Sequence, residues 1–191
     1  KPPYVPDENP VFHYRKRFNI THKSKVFLIF EGVDSAFYLF INKRKAGYSQ
    51  ITHSKSEFDI TDYVVEGENI VDVIVLKWCA SSYLEDQDKF RFTGIFRDVY
   101  ILKREEKYIS NYKITPVLEG DSGRIIVENK SDVDFYASFE NKEYLVKKHS
   151  INTISVAKVQ KWSTENPYLY EIVLHTNKEK IYEQFGFNEV K

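Results

Sequence analysis

The sequence predicts an all-β protein made of two β-sandwiches in tandem, and three observations carry that expectation. Short β-rich runs recur along the 191 residues, separated by turn residues, with no sustained helical period. Aromatic residues are abundant, 14 Tyr and 14 Phe, within a 42% hydrophobic complement large enough to pack cores. A run of five charges, KREEK at 103–107, interrupts the β pattern and marks a junction between units 1–104 and 105–191.

In the first unit, KVFLIFEGV (25–33) is a nearly continuous apolar run, as expected for a strand inside a sandwich. Asp34 and Ser35 read as a short turn before AFYLFIN (36–42). Asn42, Lys43 and Arg44 form a hairpin tip, and KAGYSQ returns as the next strand. SEFDITDYV (56–64) leads to a turn at Glu66, Gly67, Glu68 and Asn69, and NIVDVIVLKW (69–78) reads as a core strand. FRDVYIL (96–102) alternates with period two. That alternation turns Asp98 toward the core, where a carboxylate needs a buried partner.

After KREEK come seven strand-like runs: YISNYKITPVLE, GRIIVENKS, DFYASFEN, EYLVKKHS, INTISVAKV, LYEIVLHTN and KIYEQFGFNEV. Seven short strands in this length predict an immunoglobulin-like sandwich. Trp162, beside the Asn166-Pro167 turn, is expected to plug the end of that core.

Composition narrows the function. The 28 basic and 28 acidic residues cancel, so there is no electrostatic reason to expect nucleic acid or an anionic membrane as partner. No apolar run approaches the roughly 20 residues of a membrane helix. The single cysteine, Cys79, excludes an internal disulfide and is expected to be a buried, inert thiol, as in a reducing compartment. The opening KPPYVPDENP lacks the apolar centre of a signal peptide, so a cytoplasmic location is expected. With no methionine, even at position 1, the chain reads as a piece of a longer polypeptide. The five histidines, His13, His22, His53, His149 and His175, have no metal-site spacing. Neither a glycine-rich phosphate loop nor a serine nucleophile elbow is present.

The chemistry concentrates in SYLEDQDKFRFTGIFRDVYIL (82–102), where Glu85, Asp86 and Asp88 fall within four residues beside Tyr83, Phe90 and Phe92. Carboxylates that accept hydroxyl hydrogens next to aromatic faces suit a sugar. Crowded carboxylates also attract a hard cation. A sugar site, with or without a cation, therefore ranks first, a solvated surface loop second, and a glycosidase acid/base pair third. The last needs a second wall across a cleft about 5 to 9 Å wide, which one loop does not provide.

Four segments, EGVDSAFYLFINKRKAGYSQ, SEFDITDYVVEGEN, LKWCASSYLEDQDKFRFTGIFRDVYIL and WSTENPYLYEIVLHT, resemble in that order the N-terminal half of bacterial β-galactosidases of glycoside hydrolase family 2. YLEDQD followed by GIFRDV is the specific part. The resemblance implies a jelly-roll sugar-binding domain over 1–104, lacking its first strands and an upstream asparagine contact, then an immunoglobulin-like domain over 105–191. It implies that both catalytic glutamates, and the magnesium ligands beside them, belong to a (β/α)8 barrel outside this sequence. This chain alone would then be inactive. It carries one functional residue over: Asp88 would reach the galactose 6-hydroxyl region and a bound sodium in the barrel's site, while Glu85, Asp86 and Gln87 shape the loop. The implied partners are a galactoside substrate, the catalytic barrel of the same polypeptide and further copies in a homo-oligomer. β-Glucuronidases and β-mannosidases share the architecture, and the YLEDQD motif favours galactosidase.

Overall fold

The computed structural model of the chain describes residues 4–21, 24–86, 88 and 90–188. It divides into two units, Lys1–Arg104 and Glu105–Lys191. Each is a β-sandwich, the first of jelly-roll type and the second immunoglobulin-like. No helix among the described residues is long and apolar enough to cross a membrane.

The first unit holds β1 (Val11–Ile20), β2 (Lys25–Phe30), β3 (Val33–Asp34), β4 (Ala36–Ile41), β5 (Arg44–Ser49), β6 (Ser56–Asp59), β7 (Gly67–Leu76), β8 (Gly94–Ile95) and β9 (Val99–Arg104). One sheet runs β1-β7-β4-β5, the facing sheet β6-β2-β9, and β3 pairs with β8. Alternation decides which side chains meet between the sheets. Phe37, Leu39 and Ile41 of β4 and Val73 and Val75 of β7 face Val26, Leu28 and Phe30 of β2. Phe30 and Phe37 lie 4.7 Å apart, and Phe58 closes the aromatic group edge-on, 5.7 Å from Phe37. The hairpin tip is as expected: Asn42 and Lys43 take φ of 50° and 66°, the left-handed pair of a tight two-residue turn. Asn42 also braces the far end of β7, donating to Asn69 Oδ1 (2.8 Å) and accepting from the Ile70 N–H (2.9 Å).

Four local expectations of this unit need correction here. The 25–33 run is two strands, because the chain leaves β2 at Glu31 and Gly32. A side chain on Gly32 would strike the Phe96 ring, so only glycine lets Phe96 close over it. Strand β9 therefore begins at Val99, and Phe96, Arg97 and Asp98 lie outside it. Asp98 is exposed rather than core-facing, and the alternation inferred through it does not exist. The turn at 66–69 is shorter than expected, since Gly67 already pairs with Ile20 in the β1–β7 ladder. Lys103 and Arg104 of the charge run belong to β9, opposite Val26 and Lys25.

The second unit holds β10 (Tyr112–Glu119), β11 (Ser122–Asn129), β12 (Phe135–Phe139), β13 (Lys142–Val146), β14 (Ile151–Val156), β15 (Tyr170–His175) and β16 (Lys180–Phe185). All seven expected runs form strands. The sheets run β10-β11-β14 and β13-β12-β15-β16, three against four. The core includes Ile125, Val127, Phe135, Phe139, Ile154, Ile172, Leu174 and Phe187. Buried Asn129 holds one end, donating to the carbonyls of Val133 (2.8 Å) and Val146 (3.2 Å) and accepting from the Ser131 N–H (2.9 Å). Trp162 is exposed and does not plug this core. Phe187, 1% exposed, takes that place, and the Trp162 N–H donates to its carbonyl at 2.8 Å.

Candidate functional site

The acidic loop begins where β7 ends. Asn9, in the coil before β1, grips that exit: its side chain accepts from the Trp78 N–H and donates to the Trp78 carbonyl, both at 2.9 Å. The chain then makes one 3-10 turn, Ala80–Tyr83, closed by the Cys79 N–H donating to Ser82 Oγ at 3.1 Å. Cys79 is buried as expected, but against hydroxyls rather than apolar groups. Ser35, Ser81 and Ser82 all lie within hydrogen-bonding range of its sulfur. Burial pushes the thiol pKa up, yet those hydroxyls together outweigh it and hold the thiol below its ordinary value.

The three acids have separate environments. Glu85 is half-buried and accepts the Thr52 N–H at 3.2 Å, tying the loop to the segment after β5. Asp86 pairs with Arg91 at 2.6 Å. Arg91 also donates to the Ser82 carbonyl (3.2 Å) and lies 5.2 Å over the Trp78 ring, a cation–π contact. Glu85 and Asp86 therefore have structural work inside the loop. Asp88 is exposed and makes no hydrogen bond or ion pair with another described residue. Gln87, expected to shape the loop, lies outside the described residues.

The return limb carries the aromatics. Phe90 is 82% exposed and lies 6.2 Å from Phe92. Phe92 stacks on Phe96 at 5.3 Å, and Phe96 meets His53 at 5.6 Å. This row of rings borders the acids. Beneath the loop a cleft of about 220 Å³ is lined by Trp78, Cys79, Ser82, Tyr83, Asp86 and Arg91, with Val5 and Pro6 at its side.

Sequence reasoning missed the residue that ties the loop together. Asp34, read as part of a turn, is in β3 and only 2% exposed. One carboxylate oxygen accepts from the Thr52 hydroxyl at 3.5 Å, and the other from the Thr93 N–H at 3.3 Å. Thr52 in turn binds Glu85, and Thr93 sits where the loop re-enters the sandwich with φ of 52°. Asp34 thus connects both ends of the acidic loop. Its partners stand 18 and 59 residues away, so no local pattern announces it.

A hard cation takes six or more oxygen ligands. Asp88 offers one free carboxylate, while Glu85 and Asp86 are engaged elsewhere. Among the described residues no group of three or more His, Cys, Asp or Glu could hold a metal ion. Asp88 therefore offers a cation at most one of the several carboxylate ligands it would need. Nor do the described residues of this loop set two free carboxylates across a cleft.

The class that the fold and site define is a jelly roll bearing an acidic, aromatic-edged loop, followed by an immunoglobulin-like sandwich. The chain belongs to glycoside hydrolase family 2. Residues 1–105 match "Glycosyl hydrolases family 2, sugar binding domain" and residues 107–187 match "Glycosyl hydrolases family 2". It is 43% identical to a β-galactosidase of Staphylococcus xylosus over 99% of its length, and 39% identical to one of Actinobacillus pleuropneumoniae over 100%. It spans about 20% of the length of each of these relatives. Its fold also matches the β-glucuronidase of Ruminococcus gnavus (TM-score 0.76, 18% identity, covering 93% of this chain and 34% of that one). The β-glucuronidase of Dictyoglomus thermophilum gives a TM-score of 0.74 at 18% identity, covering 92% of this chain and 36% of that one.

Proposed function

We propose that this chain serves as the sugar-binding and immunoglobulin-like domains of a longer β-galactosidase that hydrolyses terminal β-D-galactosides. On this reading it performs no hydrolysis itself. It supports a catalytic barrel on the same polypeptide and lends Asp88 to that barrel's galactose and sodium site. The observation that carries the proposal is the division of labour among the acids. Glu85 and Asp86 are bound within the loop, whereas Asp88 is exposed at its tip with no described partner. An acceptor-only carboxylate in that position suits both a sugar hydroxyl and a hard cation. The substrate class is supported by relatives at 39% and 43% identity that are named β-galactosidases.

The whole enzyme would carry the magnesium and both catalytic glutamates in its barrel, act as a homo-oligomer and reside in the cytoplasm. The test is to isolate the native polypeptide by an antibody against this chain, measure its size, and assay it on nitrophenyl β-galactoside beside the purified 191-residue chain. The proposal expects a polypeptide several times longer that turns over the galactoside, and no turnover by the short chain. Turnover by the short chain, or a native polypeptide of only this size, would overturn it. In the latter case sugar binding by the free module, abolished by Asp88→Ala, becomes the leading function.

A further inference from the structure

The β1-β7-β4-β5 sheet has a second face, turned away from the core, and its two central strands are apolar there too. The ladders fix which side chains share that face. His13, Ile74, Tyr38 and Tyr48 lie across it at one level, and Arg15, Asp72, Phe40 and Lys45 at the next. Leu76 and Ile70 continue β7 at the two ends. Period two places all of these opposite the buried Phe37, Leu39, Val73 and Val75. An antiparallel sheet with one face in water alternates apolar with polar residues. Strands β4 and β7 do not alternate in this way. Their outward Tyr38, Phe40, Ile70, Ile74 and Leu76 are left half-buried by the described residues.

Within this strip the single charge is Asp72, 6% exposed and bound from β1 by Arg15 and His13, each at 2.6 Å. The flanks are cationic. Strand β1 presents His13, Arg15 and Arg17 on one side, and β5 presents Lys45 on the other. Against these stand Asp72 and, 3.5 Å from Arg17, Glu68, so the face is net cationic.

Dimensions and charge together choose the occupant. Two central strands with half an interval on either side span about 10 Å, the diameter of one helix. From Ile70 to Leu76 the strip runs roughly 20 Å, the length of about 13 helical residues. Strands β1 and β5 stand about 14 Å apart, so their cations meet the flanks of such a helix and leave its apolar stripe on the strip. A second copy of this sheet fits less well. A two-fold axis along the strands sets the β1 cations over Lys45, and one across them sets the β1 cations over each other. A sugar also fits less well, because Lys45 Nζ already occupies a face of the Tyr38 ring, 4.7 Å from its centre.

We propose that this strip docks an amphipathic α-helix of a separate protein, with its apolar stripe on Ile74, Tyr38 and Phe40 and carboxylates on both flanks. Burial of the strip supplies affinity, and the flanking charges supply orientation and choice of partner. The strip and its flanks are independent of the galactosidase reading.

The probes are two fluorescein-labelled synthetic helices of about 18 residues, with leucine at i, i+3, i+4 and i+7. One carries glutamate on both flanks and the other lysine. Each is titrated with the 191-residue chain and followed by fluorescence anisotropy. The glutamate peptide is expected to bind at least about tenfold more tightly than the lysine peptide. Arg17→Glu/Lys45→Glu should reverse that preference. Ile74→Asp should weaken both peptides at least about tenfold, with circular dichroism checking that each variant is folded. If Ile74→Asp does not fold, the reversal by the charge variant decides. Absence of binding, equal affinities, or a preference unchanged in the charge variant would overturn the proposal. So would binding by the 191-residue chain but not by the native polypeptide, because the strip would then be covered from within the same molecule. Galactoside turnover by the native polypeptide judges the enzymatic reading separately.

Discussion

At the scale of single residues, two buried or nearly buried aspartates matter more to this structure than the acid cluster that draws the eye. Asp34 accepts from Thr52 and Thr93 and so connects both limbs of the loop that presents Asp88. Asp34→Ala leaves the Thr93 N–H without its acceptor, and urea unfolding is expected to show a loss of about 1–3 kcal/mol. Asp88→Ala removes an exposed group and is expected to change stability by less than about 0.5 kcal/mol. Asp72 sits among apolar neighbours on the outer face of the β1-β7-β4-β5 sheet, with both His13 and Arg15 at 2.6 Å from one oxygen. The hydrogen bond from Arg15 is the main cause holding its pKa below the ordinary 3.8, against burial, with His13 helping. Because the folded-state pKa is depressed, the stabilisation is complete above 3.8 and is lost as pH falls through the folded value. Comparing Asp72→Asn with the parent across acid pH should show a stability gap that is full near neutrality and closes below that point.

At the scale of elements, the runs that formed strands as read are those in which alternation and turn residues agree. The Asn42-Lys43 tip between two apolar strands is one case, and the seven runs of the second unit are another. Where the reading failed, a local pattern served a different purpose. FRDVYIL alternates throughout, but Phe96 is spent on closing over Gly32 and stacking with Phe92, so the strand starts at Val99 and Asp98 stays in solvent. Alternation alone does not distinguish a paired strand from an extended segment anchored by one ring. The Trp162 expectation failed similarly, because the buried aromatic there is Phe187, while Trp162 stays exposed. Close packing across the first sandwich yields a direct test. A Cβ on Gly47 would fall inside the Phe58 ring, so Gly47→Ala should cost about 1–3 kcal/mol in chemical denaturation, through overpacking rather than lost burial.

At the scale of the whole molecule, the tandem sandwiches were legible because each unit repeats the same signals many times. The site was legible only in part. Glu85, Asp86 and Asp88 and their aromatic neighbours stand together in sequence, and the structure keeps them together at one loop. The groups that shape the loop, Asn9, Asp34 and Thr52, come from distant positions and become neighbours only through folding. The division among the acids is likewise a product of the fold: nothing in the order of Glu85, Asp86 and Asp88 says which two are bound internally and which is left free. If the last of them is lent to a sugar and sodium site on another domain, its loss should be felt in catalysis and hardly in stability. The most direct measurement is kcat/KM of the native polypeptide on nitrophenyl β-galactoside, with and without Asp88→Ala, over a range of sodium concentrations. The account predicts at least about a tenfold fall, roughly 1.4 kcal/mol of transition-state stabilisation, together with a weakened response to sodium. Unchanged kcat/KM and an unchanged sodium dependence would contradict it.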